Sequence, residues 1–211
     1  MEVNFYYLFC VFIVSLGSMI LHELGHGLAA LWQGDHTARL AGRLSLNPLK
    51  HIDPMMTIVV PLALALMGMP VFGGAKPVPI NTRNLKHGEW SFALVAIAGP
   101  LVNFVLAFLF YGVYLLAHTD WLAFFAVVGV NVNLGFMLFN IIPIPPLDGS
   151  RVLYALAPDF VRDIMAKIER YGFIIIYILI LWCGSLMSKY MYGGMDLIEG
   201  WFAGFYGLFG L

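Results

Sequence analysis

Long apolar runs, broken by short polar interruptions, dominate the chain. Five stand out, at about 5–32, 55–71, 91–117, 121–142 and 173–187. Runs of this length, with no regular polar positions, predict helices in lipid, where one crossing takes roughly 20 residues. Between them lie two polar loops, 33–54 and 72–90, a tight turn at His118–Asp120 and a longer connection over 143–172. In that connection Phe160, Val161, Ile164, Met165 and Ile168 recur at helical spacing, with Arg162, Asp163, Lys167, Glu169 and Arg170 between them. This pattern predicts an amphipathic helix lying in the membrane interface. The tail 193–211, rich in Gly and aromatic residues, reads as interfacial too. The expected fold is all-α and polytopic, with about four to five transmembrane helices plus interfacial helices.

Composition sharpens this picture. The 211 residues are 61% hydrophobic and 11% charged, against about 45–50% and 25% in soluble domains. That balance leaves no appended soluble domain of ordinary size. Eleven basic and twelve acidic residues give a net charge of −1 with no run of either sign, so the chain lacks the basic patch that nucleic acid needs. Cys10 and Cys183 sit in apolar runs and read as small buried hydrophobes. No Lys or Arg precedes the first run, and its apolar pattern continues to about Trp32. A cleaved signal peptide would have a basic start and a shorter apolar region, so a retained helix is expected.

The basic residues set an orientation. Arg39, Arg43 and Lys50 lie in the first loop, Lys76, Arg83 and Lys86 in the second, and Arg151, Arg162, Lys167 and Arg170 in the third. The positive-inside rule places all three loops in the cytoplasm. The stretch 55–71 would then enter and leave on one side as a re-entrant hairpin; a short ordinary span is the competing reading.

Inside the first run stands His22-Glu23-Leu24-Gly25-His26. Two histidines four apart share a helix face and can grip one metal ion, and Glu23 is placed to reach a metal-bound water. Ionisable groups within a bilayer cost at least about 2–3 kcal/mol and mark functional sites; a divalent cation compensates three of them together. A catalytic zinc takes three protein ligands, so another must come from elsewhere. Asp53 precedes Pro54 and suits a helix cap, and Asp120 sits in the opposite turn. Asp148 follows Pro143, Pro145 and Pro146, where a long helix ends at the depth of His22, and is the best third ligand. Asn140, just before that break, suits either an oxyanion donor or a helix cap.

Together these motifs resemble the site-2 protease family of intramembrane zinc metalloproteases, in its compact form without PDZ or CBS domains. The resemblance rests on His22-Glu-Leu-Gly-His26 and on Phe139-Asn140…Pro143-Ile-Pro-Pro-Leu-Asp148-Gly149. It is extended by Phe72-Gly-Gly-Ala-Lys-Pro-Val-Pro-Ile-Asn81 and Ala98-Gly-Pro-Leu-Val-Asn103, so that about 15–153 is covered in order. It implies one membrane-embedded metalloprotease domain over 1–211, with a catalytic core at about 5–153 and C-terminal amphipathic and membrane helices at about 158–211. His22, His26 and Asp148 would bind Zn2+, Glu23 would activate water, and Asn140 would assist at the scissile carbonyl. The substrate would be a transmembrane segment of another protein, met in the cell membrane with the active site toward the cytoplasm.

Ala75–Asn81, with alternating Val and Pro, could offer an extended edge to an unwound substrate, or form a turn into the next helix. Gly25 and Gly27 permit close helix approach, and Pro100 and Asn103 read as a kink and an anchor. A metal transporter or sensor, or an inactive helix-binding relative, would use the same ligands without hydrolysis.

Overall fold

The computed structural model describes residues 5–66 and 74–210, which form helices and loops only. Buried in lipid, a chain must satisfy its backbone internally, and uninterrupted helices do this. Helix α1 (Phe5–Trp32) is followed by the single turn α2 (Thr37–Leu40) and the short α3 (Val60–Leu66). Then come the long α4 (Glu89–Leu115) and α5 (Asp120–Ile141). The C-terminal part holds α6 (Gly149–Leu156), α7 (Asp159–Glu169), α8 (Gly172–Trp182) and α9 (Gly184–Gly207). Beyond α1, Gly34 adopts φ +101° and Asp35 N–H donates back to Ala30 O at 2.9 Å. Left-handed backbone of this kind is open to glycine and stops the helix.

Among the described residues three helices, α1, α4 and α5, are long and apolar enough to cross a membrane. The protein is thus an all-helical membrane protein, with α4 held between α1 and α5. Their outer faces leave Phe9, Phe12, Leu101 and Leu109 exposed, as side chains against lipid tails would be.

Two expectations need correction. The run 173–187 is not a single helix: it breaks at Cys183, and the helices on either side are bent by 88°. At about 1.5 Å per residue, the 11 residues of α8 reach only about 16 Å, too short to cross alone. Among the described residues, crossing helices number three, or four if the bent pair counts as one span, in line with the all-α polytopic fold and the lower end of the four to five expected. Nor is the tail 193–211, read as interfacial, separate from the bundle. Phe202 is fully buried against Ala107, Val130 and Leu134, and Tyr206 donates to Phe108 O at 3.0 Å. The aromatic residues of α9 pack on α4, where Gly112 makes the room: a Cβ there would strike the Tyr206 ring. The amphipathic helix appears as α7, with Met165 buried and Phe160 exposed. Cys10 and Cys183 are free thiols.

The polar loops gather at one end of the bundle. Lys86 N–H donates to Gln33 O, and Arg43 donates to Lys76 O at 2.7 Å. Asp35 accepts from Asn81 N–H and from the Asn84 amide. The Arg151 guanidinium lies over the Phe92 ring near the start of α4. At the other end, Tyr6 donates to the carbonyl of Trp121, beside Asp120 in the first turn of α5.

The flanks of the run 55–71 also meet at the basic end. Lys76 N–H donates to His51 O at 2.9 Å, and Thr57 Oγ1 donates to Gly74 O at 2.7 Å. The two flanks thus lie side by side, while the re-entrant hairpin expected over 55–71 includes 67–71, outside the described residues. Asp53 caps its first turn, accepting from Met55 N–H.

Candidate metal centre

His22 and His26 project from one face of α1, both buried where α1 meets α4. Asp148 arrives from the other side. The chain leaves α5 at Ile141, runs through the proline segment and re-enters helix at Gly149. A Cβ on Gly149 would overlap the carbonyl of Ile141, so only glycine lets the start of α6 fold this close to the end of α5. That reversal delivers the Asp148 carboxylate to the two rings.

Three atoms converge. His22 Nε2 and His26 Nε2 stand 3.0 Å apart, and Asp148 Oδ2 lies 3.2 Å from the first and 3.4 Å from the second. Among the described residues this is the one group of His, Cys, Asp and Glu side chains gathered at metal-holding distance.

Hydrogen bonding defines what these atoms offer. His22 Nδ1 faces Asn103 Oδ1 at 2.6 Å, and His26 Nδ1 faces the carbonyl of Val95 at 2.8 Å. Both partners only accept, so each Nδ1 carries its ring's hydrogen. In neutral imidazoles both Nε2 atoms then present lone pairs, toward each other and toward Asp148 Oδ2. That oxygen is itself buried without a hydrogen-bond donor. Three acceptors this close repel unless positive charge sits among them. Ligands in a zinc tetrahedron, at about 2.0–2.2 Å from the ion, stand roughly 3.3–3.6 Å from one another. The observed triangle comes close to those edges, and two imidazoles with one carboxylate suit such a cation chemically.

Gly99 keeps the space open. A Cβ there would lie 2.6 Å from His22 Nε2 and would overlap His26 Nε2. Gly25 does the same for the helices: its missing side chain admits Val102 and the carbonyl of Ala98 from α4.

Glu23 is beside the triangle and outside it. Its Oε2 accepts from Val78 N–H at 2.8 Å. Pro77 and Pro79 have no N–H, so Val78 supplies the one donor between Lys76 and Ile80. The segment 75–81 has no helix and passes α1, with the Val78 side chain buried near Gly27. Asn140 is half-buried in the last turn of α5, where its amide donates to Phe136 O at 3.0 Å. It shows no contact with the three convergent atoms among the described residues. Asn103 and Asn133 are the amides that spacing did not single out for chemistry. Both are fully buried, and the polarity of two amides inside apolar helices was the available signal.

Beside Asp148 opens a cleft of about 390 Å³, lined by Ile97, Pro100, Ile141, Pro143 and Val152. Apart from the carboxylate its wall is apolar.

The chain is similar to proteins described as zinc metalloproteases. Over 177 residues, 79% of the chain, it is 40% identical to a Bacillus subtilis protein named "Putative zinc metalloprotease YwhC", and the match covers 78% of that protein. The Rip2 proteins of Mycolicibacterium smegmatis and Mycobacterium tuberculosis carry the same description. They are 35% and 32% identical over 79% and 84% of the chain, which spans 64% and 68% of their lengths. No family model matches the chain, and no solved structure does. Identity of this extent, with both histidines, the glutamate and the distant aspartate in one chain, makes this protein a member of the site-2 protease family of metalloproteases.

Proposed function

We propose that the chain is an intramembrane zinc endopeptidase that cuts peptide bonds in or near transmembrane segments of other membrane proteins. His22, His26 and Asp148 hold the ion. The observation carrying this reading is the convergence of their three acceptor atoms within 3.4 Å inside a bundle of membrane-crossing helices. Bound there, zinc supplies Lewis acidity, which makes water a nucleophile at neutral pH and polarises a peptide carbonyl.

The chain's own groups do the rest. Glu23, one residue from the first ligand, takes the proton of the attacking water and passes it to the leaving amine. The Val78 N–H holds its carboxylate in place. Asn140 spends one amide hydrogen on Phe136 O and keeps the other for the substrate carbonyl. The apolar cleft beside Asp148 suits the side chains of a membrane segment, and Pro100 and Pro143 on its walls leave backbone that no helix ladder occupies.

The basic loops meet at the end of the bundle nearest Asp148, and by the positive-inside rule that end faces the cytoplasm of a cell membrane. Water reaches the site from there. The catalytic unit extends from α1 to the start of α6, and α7–α9 brace it.

The test compares wild type with Glu23→Gln, His22→Ala and Asp148→Ala on a transmembrane peptide in proteoliposomes, with bound zinc measured alongside. Glu23→Gln keeps zinc and loses cleavage; the other two lose both. Undiminished cleavage by Glu23→Gln would overturn the mechanism. Zinc transport into the vesicles without cleavage would favour a transporter.

A further inference from the structure

We infer that Asn103 and Asn133 are positioning residues that fix which nitrogen of His22 meets the metal. The inference rests on His22, His26 and Asp148 being the ligands. Four groups form a directed line from α5 through α4 to α1. Asn133 Nδ2 donates to Gly129 O, one turn back in its own helix, at 2.8 Å. This turns Asn133 Oδ1 toward α4, where it accepts from Asn103 Nδ2 at 3.0 Å. Asn103 Oδ1 is thereby turned toward His22, and Nδ1 donates to it at 2.6 Å.

The direction of this line cannot reverse cheaply. A backbone carbonyl at its origin only accepts, so flipping either amide would set two oxygens face to face. Both asparagines are fully buried, so water cannot repair such a clash. With the hydrogen held on Nδ1, Nε2 of His22 keeps its lone pair for the ion. A flipped Asn103 would present its NH2 to Nδ1, force the hydrogen onto Nε2 and block coordination. His26 needs no such device, because its Nδ1 faces a backbone carbonyl, that of Val95. Only His22 depends on side chains whose orientation must itself be set.

Amide chemistry suits the place. A carboxylate behind His22 would orient the ring equally well, but it would add a second negative charge to a centre embedded in apolar helices. The amide pair transmits the orientation without charge.

The experiment uses the full chain in detergent micelles. Zinc affinity is read by competition with a chromogenic chelator, the ligand field by the visible spectrum of the Co2+ form, and folding by thermal melting of the metal-free protein. Asn103→Ala is expected to weaken zinc binding about 10- to 100-fold and to shift the Co2+ bands. Asn103→Asp combined with Asn133→Ala keeps an acceptor for Nδ1 with no oxygen opposed to it and should bind zinc more tightly than Asn103→Ala. Asn133→Ala leaves Asn103 in place but unoriented and should weaken zinc by several-fold; it carries the test if Asn103→Ala does not fold. Wild-type zinc affinity and Co2+ spectrum in either alanine variant, with only the melting temperature lowered, would reduce the pair to helix packing and overturn the inference. Zinc bound at full affinity by His22→Ala would instead remove the ligand assignment beneath it.

Discussion

The Glu23 carboxylate accepts the N–H of Val78 at 2.8 Å, in a stretch where prolines on both sides leave no other donor. In the proposed mechanism a base held in this way needs no search for its orientation, and general-base catalysis is worth roughly 10²–10⁴-fold. Val78→Pro removes only that hydrogen from the backbone. It is expected to lower kcat about tenfold or more with zinc content unchanged, whereas Val78→Ala keeps the N–H and stays near wild type. Steady-state cleavage with parallel metal analysis checks both.

Gly99→Ala places a methyl group against both Nε2 atoms. The expected outcome is a folded protein that loses zinc by at least an order of magnitude in affinity. Dialysis against a zinc buffer, followed by metal quantification, measures it. The contrasting Gly17→Ala meets open space and should be silent.

Asp35 ties the first polar loop to the second. Burial raises its carboxyl pKa, but the Thr37 hydroxyl, the Asn84 amide and the N–H groups of Asn81 and Thr37 outweigh burial and hold it below the ordinary value. A carboxyl depressed on folding adds stability above its unfolded pKa, near 4, and that stability drains as pH falls through the folded value. Wild type should therefore lose melting temperature on acidification below about pH 4. Asp35→Ala should be about 1–3 kcal/mol less stable at neutral pH and show a flatter acid limb. Thermal melts across a pH series read this.

Phe202→Ala opens a cavity between α9 and the α4–α5 pair. Core truncations of this kind cost about 3–5 kcal/mol. Stability should fall by that order while the zinc affinity of the protein that remains folded is unchanged, since Phe202 contacts α4 and α5 away from the ligands. Denaturation in mild detergent, with chelator competition, separates the two effects.

The parts of this molecule that were legible in its sequence are those where residue type and spacing coincide within one helix. His22 and His26 share a face by the 3.6-residue period alone, and their cost in lipid made them conspicuous. Asp148 could be paired with them because the basic residues oriented the chain and set its depth. Helices in lipid are apolar on every side, so no periodicity marks which face of α4 meets α1 or which face of α9 meets α4. For that reason the Asn133–Asn103–His22 line and the burial of Phe202 appeared only with tertiary structure. The break at Cys183 did have a local signal, the Gly184-Ser185 pair that follows it. The apolar residues on both sides carry the hydrophobic run across it and masked that signal.

Asp148 reaches its partners only after α4 and α5 have been laid against α1 and the chain has reversed at Gly149. A ribosome that has delivered residues up to Ile141 has produced two imidazoles and no cage. In the proposed reading, hydrolytic power is thus withheld from the nascent protein until its third long helix is seated, and metal uptake reports that assembly is finished.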